Sequence, residues 1–178
     1  MNNSLIQYIN QAEGDAEIKQ KFLNRIQEGK ITRSENPTSH LCVYFAAFDP
    51  DASLVFIGHH KKSGLWLFNG GHMDPGEMPR DTVLREAREE WGYTIEPSFV
   101  PDPQLVTLTK IEHPETQICQ WHYDLWHFLP FEKSAFHPSD AALLTEFFSY
   151  GWKTYKEAEK FLTSQPTIEA LDYLKNRR

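Results

Sequence analysis

Apolar residues recur at helical spacing near both ends of the chain and in strand-like runs through its middle. Leu5, Ile6 and Ile9 form one patch and Ile18, Phe22, Leu23 and Ile26 another, predicting helix over 4–29 with a break at Gly14-Asp15. Residues 33–39 read as loop. The stretches 41–48 and 54–58 are rich in β-branched and aromatic side chains, and Asp49-Pro50-Asp51 joins them as a hairpin. Residues 59–71 carry Trp66 on a short strand and enter a stretch where Gly70, Gly71, Pro75 and Gly76 are expected to exclude a regular element. A helix follows, with Pro79 suited to its first position and Gly92 to the left-handed residue past its end. Strands are predicted over 104–112 and 118–131, with Pro114-Glu115-Thr116 turning between them. A loop over 134–140, a short helical approach over 141–146 and a strand over 147–152 come next. Helices over 155–162 and 167–176 close the chain, the second started by Pro166.

Spacing then sorts chemistry onto faces. On the helix after Pro79, Val83, Leu84, Ala87 and Trp91 share the arc expected to be buried, while Glu86, Glu89 and Glu90 share another. Arg85 can reach Glu89 one turn on. Carboxylates crowded on one arc repel one another without a cation, and hard oxygen donors of this kind suit Mg²⁺ or Mn²⁺. The helix by itself is equally a solvated acidic face. On the strand 118–131, alternation puts His122, Asp124, Trp126 and Phe128 on one side and Cys119, Trp121, Tyr123, Leu125, His127 and Leu129 on the other. His127 is therefore expected in the core, and a carboxylate at Asp124 could fix the tautomer of His122.

Composition narrows the class. A chain of 178 residues with 40% hydrophobic and 24% charged residues is an ordinary single globular domain. No apolar run approaches a membrane span and the N-terminus lacks a signal pattern, so a cytoplasmic protein with no membrane association is expected. The net charge of −7 argues against binding a nucleic-acid polymer but permits a small anionic substrate screened by divalent metal. Cys42 and Cys119 read as reduced, buried thiols without metal-ligand spacing, and His59 and His60 likewise suggest no metal role.

The order of the central stretch is more specific. Gly71, five residues, Glu77, seven residues, then Arg85-Glu86-Ala87-Arg88-Glu89-Glu90-Trp91-Gly92-Tyr93 resembles the signature of the Nudix hydrolases, Gly-x5-Glu-x7-Arg-Glu-U-x-Glu-Glu-x-Gly-U. Ala87 and Tyr93 depart mildly at the U positions, where a bulky aliphatic is usual. Asn69 stands where proline is common at the entry to the loop.

The resemblance implies an α/β Nudix fold, a mixed β-sheet sandwiched between helices, in a single domain. Residues 1–36 would be a helical appendage packed on the core, with homodimer formation as the alternative use, and 37–178 the catalytic unit. It implies hydrolysis of a diphosphate linkage in a nucleoside diphosphate joined to another moiety, with Mg²⁺ or Mn²⁺. Glu86, Glu89 and Glu90 would be ligands, with the Gly71 carbonyl as a further oxygen. Arg85 would hold the group by pairing with Glu77 or Glu89. For the general base the order is Glu90 or Glu89, then Glu146, then His122. Glu146, with Asp140 a poorer choice, resembles an acidic residue that many relatives carry before the final strand. Lys61 and Lys62 could touch substrate phosphates, or simply be solvated. Trp66 or Trp126 could stack on a base, or simply pack the core. A catalytically silent nucleotide or nucleotide-sugar sensor and an isomerase of the same fold are the competing readings. The intact glutamate array weighs against the first, and the lack of a suitably placed cysteine in the signature weighs against the second.

Overall fold

A computed structural model describes residues 2–111 and 118–177. The turn expected at Pro114-Glu115-Thr116 lies outside the described residues. The chain opens with α1 (Asn2–Gln11) and α2 (Ala16–Glu28), followed by β1 (Ser39–Asp49), β2 (Leu54–His60), β3 (Trp66–Leu67) and β4 (Asn69–His72). Then come α3 (Pro79–Glu90), β5 (Leu105–Lys110), β6 (Trp121–Pro130), α4 (Asp140–Glu146), β7 (Phe147–Thr154), α5 (Tyr155–Phe161) and α6 (Gln165–Lys175). The break between α1 and α2 falls where expected, and the Asp15 carboxylate accepts from the N–H groups of Glu17 and Ile18 to start α2.

The strands form one open, mixed sheet in the order β3-β2-β1-β6-β5, with β4 paired to β1 and β7 to β2. β1 and β6 run parallel from Ser39 opposite Trp121 to Phe48 opposite Pro130, while the remaining strand pairs are antiparallel. The hairpin between β1 and β2 pairs only Phe48 with Val55 and Asp49 with Leu54. β2 pairs with β7 along its whole length, and beyond the hairpin β4 takes its place beside β1.

Alternation along β1 divides the core in two. Leu41, Val43, Phe45 and Ala47 join α1, α2 and α3 on one face, where Leu5, Ile9, Phe22 and Ile26 are buried with Val83, Ala87 and Trp91. The N-terminal helices therefore contribute to the main core. On the other face Ala46, Trp126 and Phe128 pack beneath α5 and α6 through Ala158, Leu162, Leu171 and Tyr173. Fully burying one such Val or Leu side chain contributes about 1.5–3 kcal/mol, so a charge at Val83 would detach α3 from the sheet.

Two expectations change in detail. Gly70 and Gly71 do form a regular element, pairing as β4 with Tyr44 and Val43. Long-range pairing overrides their local preference, and at Gly70 an added Cβ would lie 2.5 Å from the Val43 carbonyl oxygen. β6 begins at Trp121, not at residue 118, so the alternation does not reach back to Cys119. That thiol sits on the His122 side of the sheet, 3.9 Å from His72 Nε2.

Candidate active site

α3 is built as its residues suggest. Pro79 opens it, Met78 N–H donates to the Asp81 carboxylate at 3.0 Å, and Gly92 takes φ 59° just past its end. Its buried face of Val83, Leu84 and Ala87, continued by Trp91, anchors it on the sheet. That fixes the opposite arc, so Glu86, Glu89 and Glu90 line one cavity of about 830 Å³. Gly71 also lines it, as do His122 and Glu146.

Arg85 organises the acids. Its Nε donates to Glu77 Oε1 at 2.8 Å and Nη2 to Glu77 Oε2 at 3.1 Å, a forked pair. Nη1 donates to Glu86 Oε1 at 2.7 Å and lies 3.5 Å from Glu89 Oε2, while Nη2 also reaches the His72 carbonyl at 2.9 Å. Burial would raise the Glu77 carboxyl, but hydrogen bonds from Arg85, the Asp74 N–H and Thr82 together hold it below the usual value. Burial dominates at Glu86, whose carboxyl is raised despite Arg85. Glu90 is pushed up to about 8 by burial, with only Asn69 and the Gly70 N–H donating against it. The Asn69 amide meets Glu90 Oε2 at 2.7 Å. At Gly71 the carboxylate of Glu86 occupies the space a side chain would need, since an added Cβ would lie 1.8 Å from Glu86 Oε1.

Glu146 faces the same cavity from the end of α4, 3.2 Å from Lys62 Nζ and 3.7 Å from His60 Nε2. Lys61 points elsewhere: its ammonium donates to the Leu144 carbonyl and it does not line the cavity. Asp140 accepts from the Tyr150 hydroxyl at 2.6 Å, also away from the cavity. Neither tryptophan is available to a cavity ligand. Trp126 is fully buried, stacked on Tyr44 with ring centroids 4.4 Å apart, and its indole N–H donates to Thr107. Trp66 turns to the outer side of its strand, against His59 and Phe161. The aromatic walls are instead Tyr44, Phe68 and Phe147.

The His122–Asp124 pairing does not form. Asp124 accepts from Thr107 at 3.1 Å and Thr109 at 2.5 Å, whereas His122 Nε2 lies 3.4 Å from His72 Nε2. Burial lowers His122 to about 4 and His72 to about 3, leaving both imidazoles neutral. His127 is in the core, as alternation indicates. Asn69, His72, His40 and Cys42 were not singled out as site residues by the sequence. The one local signal was Asn69, a polar residue at the entry to the glycine-rich loop.

The NUDIX domain family model matches residues 38–171. The Bacillus subtilis (strain 168) protein described as uncharacterized Nudix hydrolase YvcI is 44% identical over 46 residues, 25% of this chain. The chain spans only 29% of that relative's length. Among solved structures, the E. coli dihydroneopterin triphosphate pyrophosphohydrolase aligns with TM-score 0.62 at 16% identity, over 75% of this chain and 92% of that one. A MutT NUDIX hydrolase from Burkholderia pseudomallei aligns with TM-score 0.59 at 17% identity, over 76% and 97% of the two chains. At such identity the structures speak for the fold. The family model, which extends over most of the sequence and contains the whole of α3 and its loop, shows that this chain belongs to the NUDIX family.

Proposed function

We propose that the protein hydrolyses a diphosphate linkage in a nucleoside diphosphate joined to another moiety, using Mg²⁺ or Mn²⁺ and water attack at phosphorus. The observation that carries this reading is the convergence of Glu86, Glu89, Glu90 and Glu146 on one cavity large enough for a nucleotide. The donor set fits a hard dication. It is all carboxylate oxygen, with the Gly71 backbone at its edge, and the half-buried Glu90 takes its hydrogen bonds from Asn69 and the Gly70 N–H. A divalent ion held there would neutralise phosphate charge and make water a stronger acid.

The chain's own groups then have distinct tasks. Glu86 and Glu90 would hold the cation, and Arg85 locks Glu77 and Glu86 so that the acids keep their places. Glu77 is a structural anchor whose oxygens are taken by Arg85, Thr82 and the Asp74 N–H. Glu89, at the exposed edge of the array, takes the proton of the attacking water, with Glu146 across the cavity as the other candidate. Lys62 beside Glu146 is placed to meet a phosphate oxygen. Tyr44 and Phe68 offer apolar walls for the group on the far side of the anhydride.

The test is a hydrolysis panel with Mg²⁺ or Mn²⁺ covering nucleoside triphosphates, ADP-ribose, dinucleoside polyphosphates, nucleotide sugars and coenzymes. Glu89→Gln and Glu90→Gln are expected to lower turnover by orders of magnitude with the fold intact. Variants as active as the parent would refute the site. Tight binding of a panel member without turnover would favour the sensor reading.

A further inference from the structure

Beside the carboxylate array lies a second cluster whose chemistry is different. Strand alternation puts His40 and Cys42 of β1 on one side of the sheet, and pairing brings His72 of β4 opposite Cys42 and His122 of β6 opposite His40. One donor atom from each of the four lies within 4.8 Å of every other. We propose that His40, Cys42, His72 and His122 form a second metal site, for Zn²⁺ or a similar borderline-soft dication, set into the floor of the cavity.

Three observations support it. The separations are near those of a tetrahedral site, where donors about 2.0–2.3 Å from an ion lie about 3.3–3.8 Å apart. His72 Nε2 and His122 Nε2 are 3.4 Å apart, and the four donor atoms lie within 4.8 Å of one another. The tautomer of His40 is fixed from behind: its Nδ1–H donates to the Asn36 carbonyl at 2.8 Å. Nε2 is then left with its lone pair turned to the cluster, the arrangement that metal-bound imidazoles adopt. The donor set is three imidazoles and a thiol with no carboxylate, because Asp124 is engaged by Thr107 and Thr109. Such nitrogen and sulfur donors select zinc-like ions over Mg²⁺.

Cys119 adds a further thiol at the rim, with Sγ 3.7 Å from His40 Nε2 and 3.9 Å from His72 Nε2. Binding transfers the Cys42 thiol proton to solvent and leaves a thiolate and three neutral imidazoles on the ion. With four protein donors the site is closed, so its work is structural. It ties β4, which carries Gly71 into the carboxylate array, to β1 and β6.

The experiment uses the untagged full chain, stripped by chelator and titrated with Co²⁺ in excess Mg²⁺. One Co²⁺ per chain is expected, with intense visible bands of tetrahedral cobalt and a thiolate charge-transfer band in the near ultraviolet, displaced by one equivalent of Zn²⁺. Cys42→Ser should lose the charge-transfer band and bind Co²⁺ at least tenfold more weakly, while Glu89→Gln keeps the parent spectrum. A faint octahedral spectrum in the parent, a thiolate band that survives in Cys42→Ser, or its loss in Glu89→Gln would each overturn the assignment. X-ray absorption of the zinc-loaded parent needs no variant: sulfur with nitrogen neighbours supports the site, and an all-oxygen shell refutes it.

Discussion

The Asn69 side-chain amide donates to Glu90 Oε2 at 2.7 Å, with Asn69 buried and Glu90 half-buried. This bond orients the acid from behind. Asn69→Leu is expected to weaken Mn²⁺ binding by about 10–100-fold, the usual cost of losing an outer partner of a ligand. Titration of the variant with Mn²⁺, followed by electron paramagnetic resonance, checks this. Unchanged affinity would remove Asn69 from the positioning of Glu90.

Gly71→Ala tests the close approach of loop and helix. The added methyl would overlap the Glu86 carboxylate, which Arg85 tethers on its other side. The carboxylate has to move for the chain to fold at all. Turnover should fall by about 10²-fold or more, as small misplacements at reacting centres do. Thermal unfolding should show only a modest loss of stability, separating displacement from collapse.

Arg85→Ala should cost stability as well as activity. It removes donors to Glu77, Glu86 and the His72 carbonyl and leaves acids unpaired in a half-buried setting. A loss of about 3 kcal/mol in urea unfolding is expected, the low end for breaking a buried pair, because Arg85 retains some solvent contact. Arg85→Lys keeps the charge but not the fork, and should recover only part of it.

His127 predicts a pH dependence of stability. Its Nδ1–H donates to the Pro101 carbonyl at 2.8 Å, Nε2 is buried without a partner among the described residues, and burial lowers its pKa from 6.5 to about 4. The native imidazole stays neutral while the unfolded one takes up a proton below 6.5. The unfolded state thus binds more protons between about 4 and 6.5, so this contribution is complete above 6.5 and is lost as pH falls. His127→Phe should show a shallower decline in unfolding free energy over that interval. Parallel curves for parent and variant would contradict the assignment.

How much of this was legible depended on range. α3 and its caps could be read because breaker, cap and apolar spacing all act within a turn or two. The buried arc of Val83, Leu84, Ala87 and Trp91 follows from periodicity alone. Gly70 and Gly71 were hidden as a strand because their partners lie far away on β1. Trp66 and Trp126 were plausible stacking groups until packing turned them to other surfaces. The His40–Cys42–His72–His122 cluster is drawn from three strands, and sequence spacing carries no trace of such a meeting. The strand expected over 41–48 held Cys42 but began after His40, and nothing local said what lay opposite.

The division of labour along β1 has an evolutionary consequence. Its odd-numbered residues from Leu41 to Ala47 serve the helix-covered interior, while the Cys42 and Tyr44 side chains between them line the cavity. Point replacements at Tyr44 can therefore retune ligand preference while the odd positions keep the molecule folded. A single inserted codon would exchange the two sets at once, so lineages of this protein should diversify here by substitution and almost never by insertion or deletion.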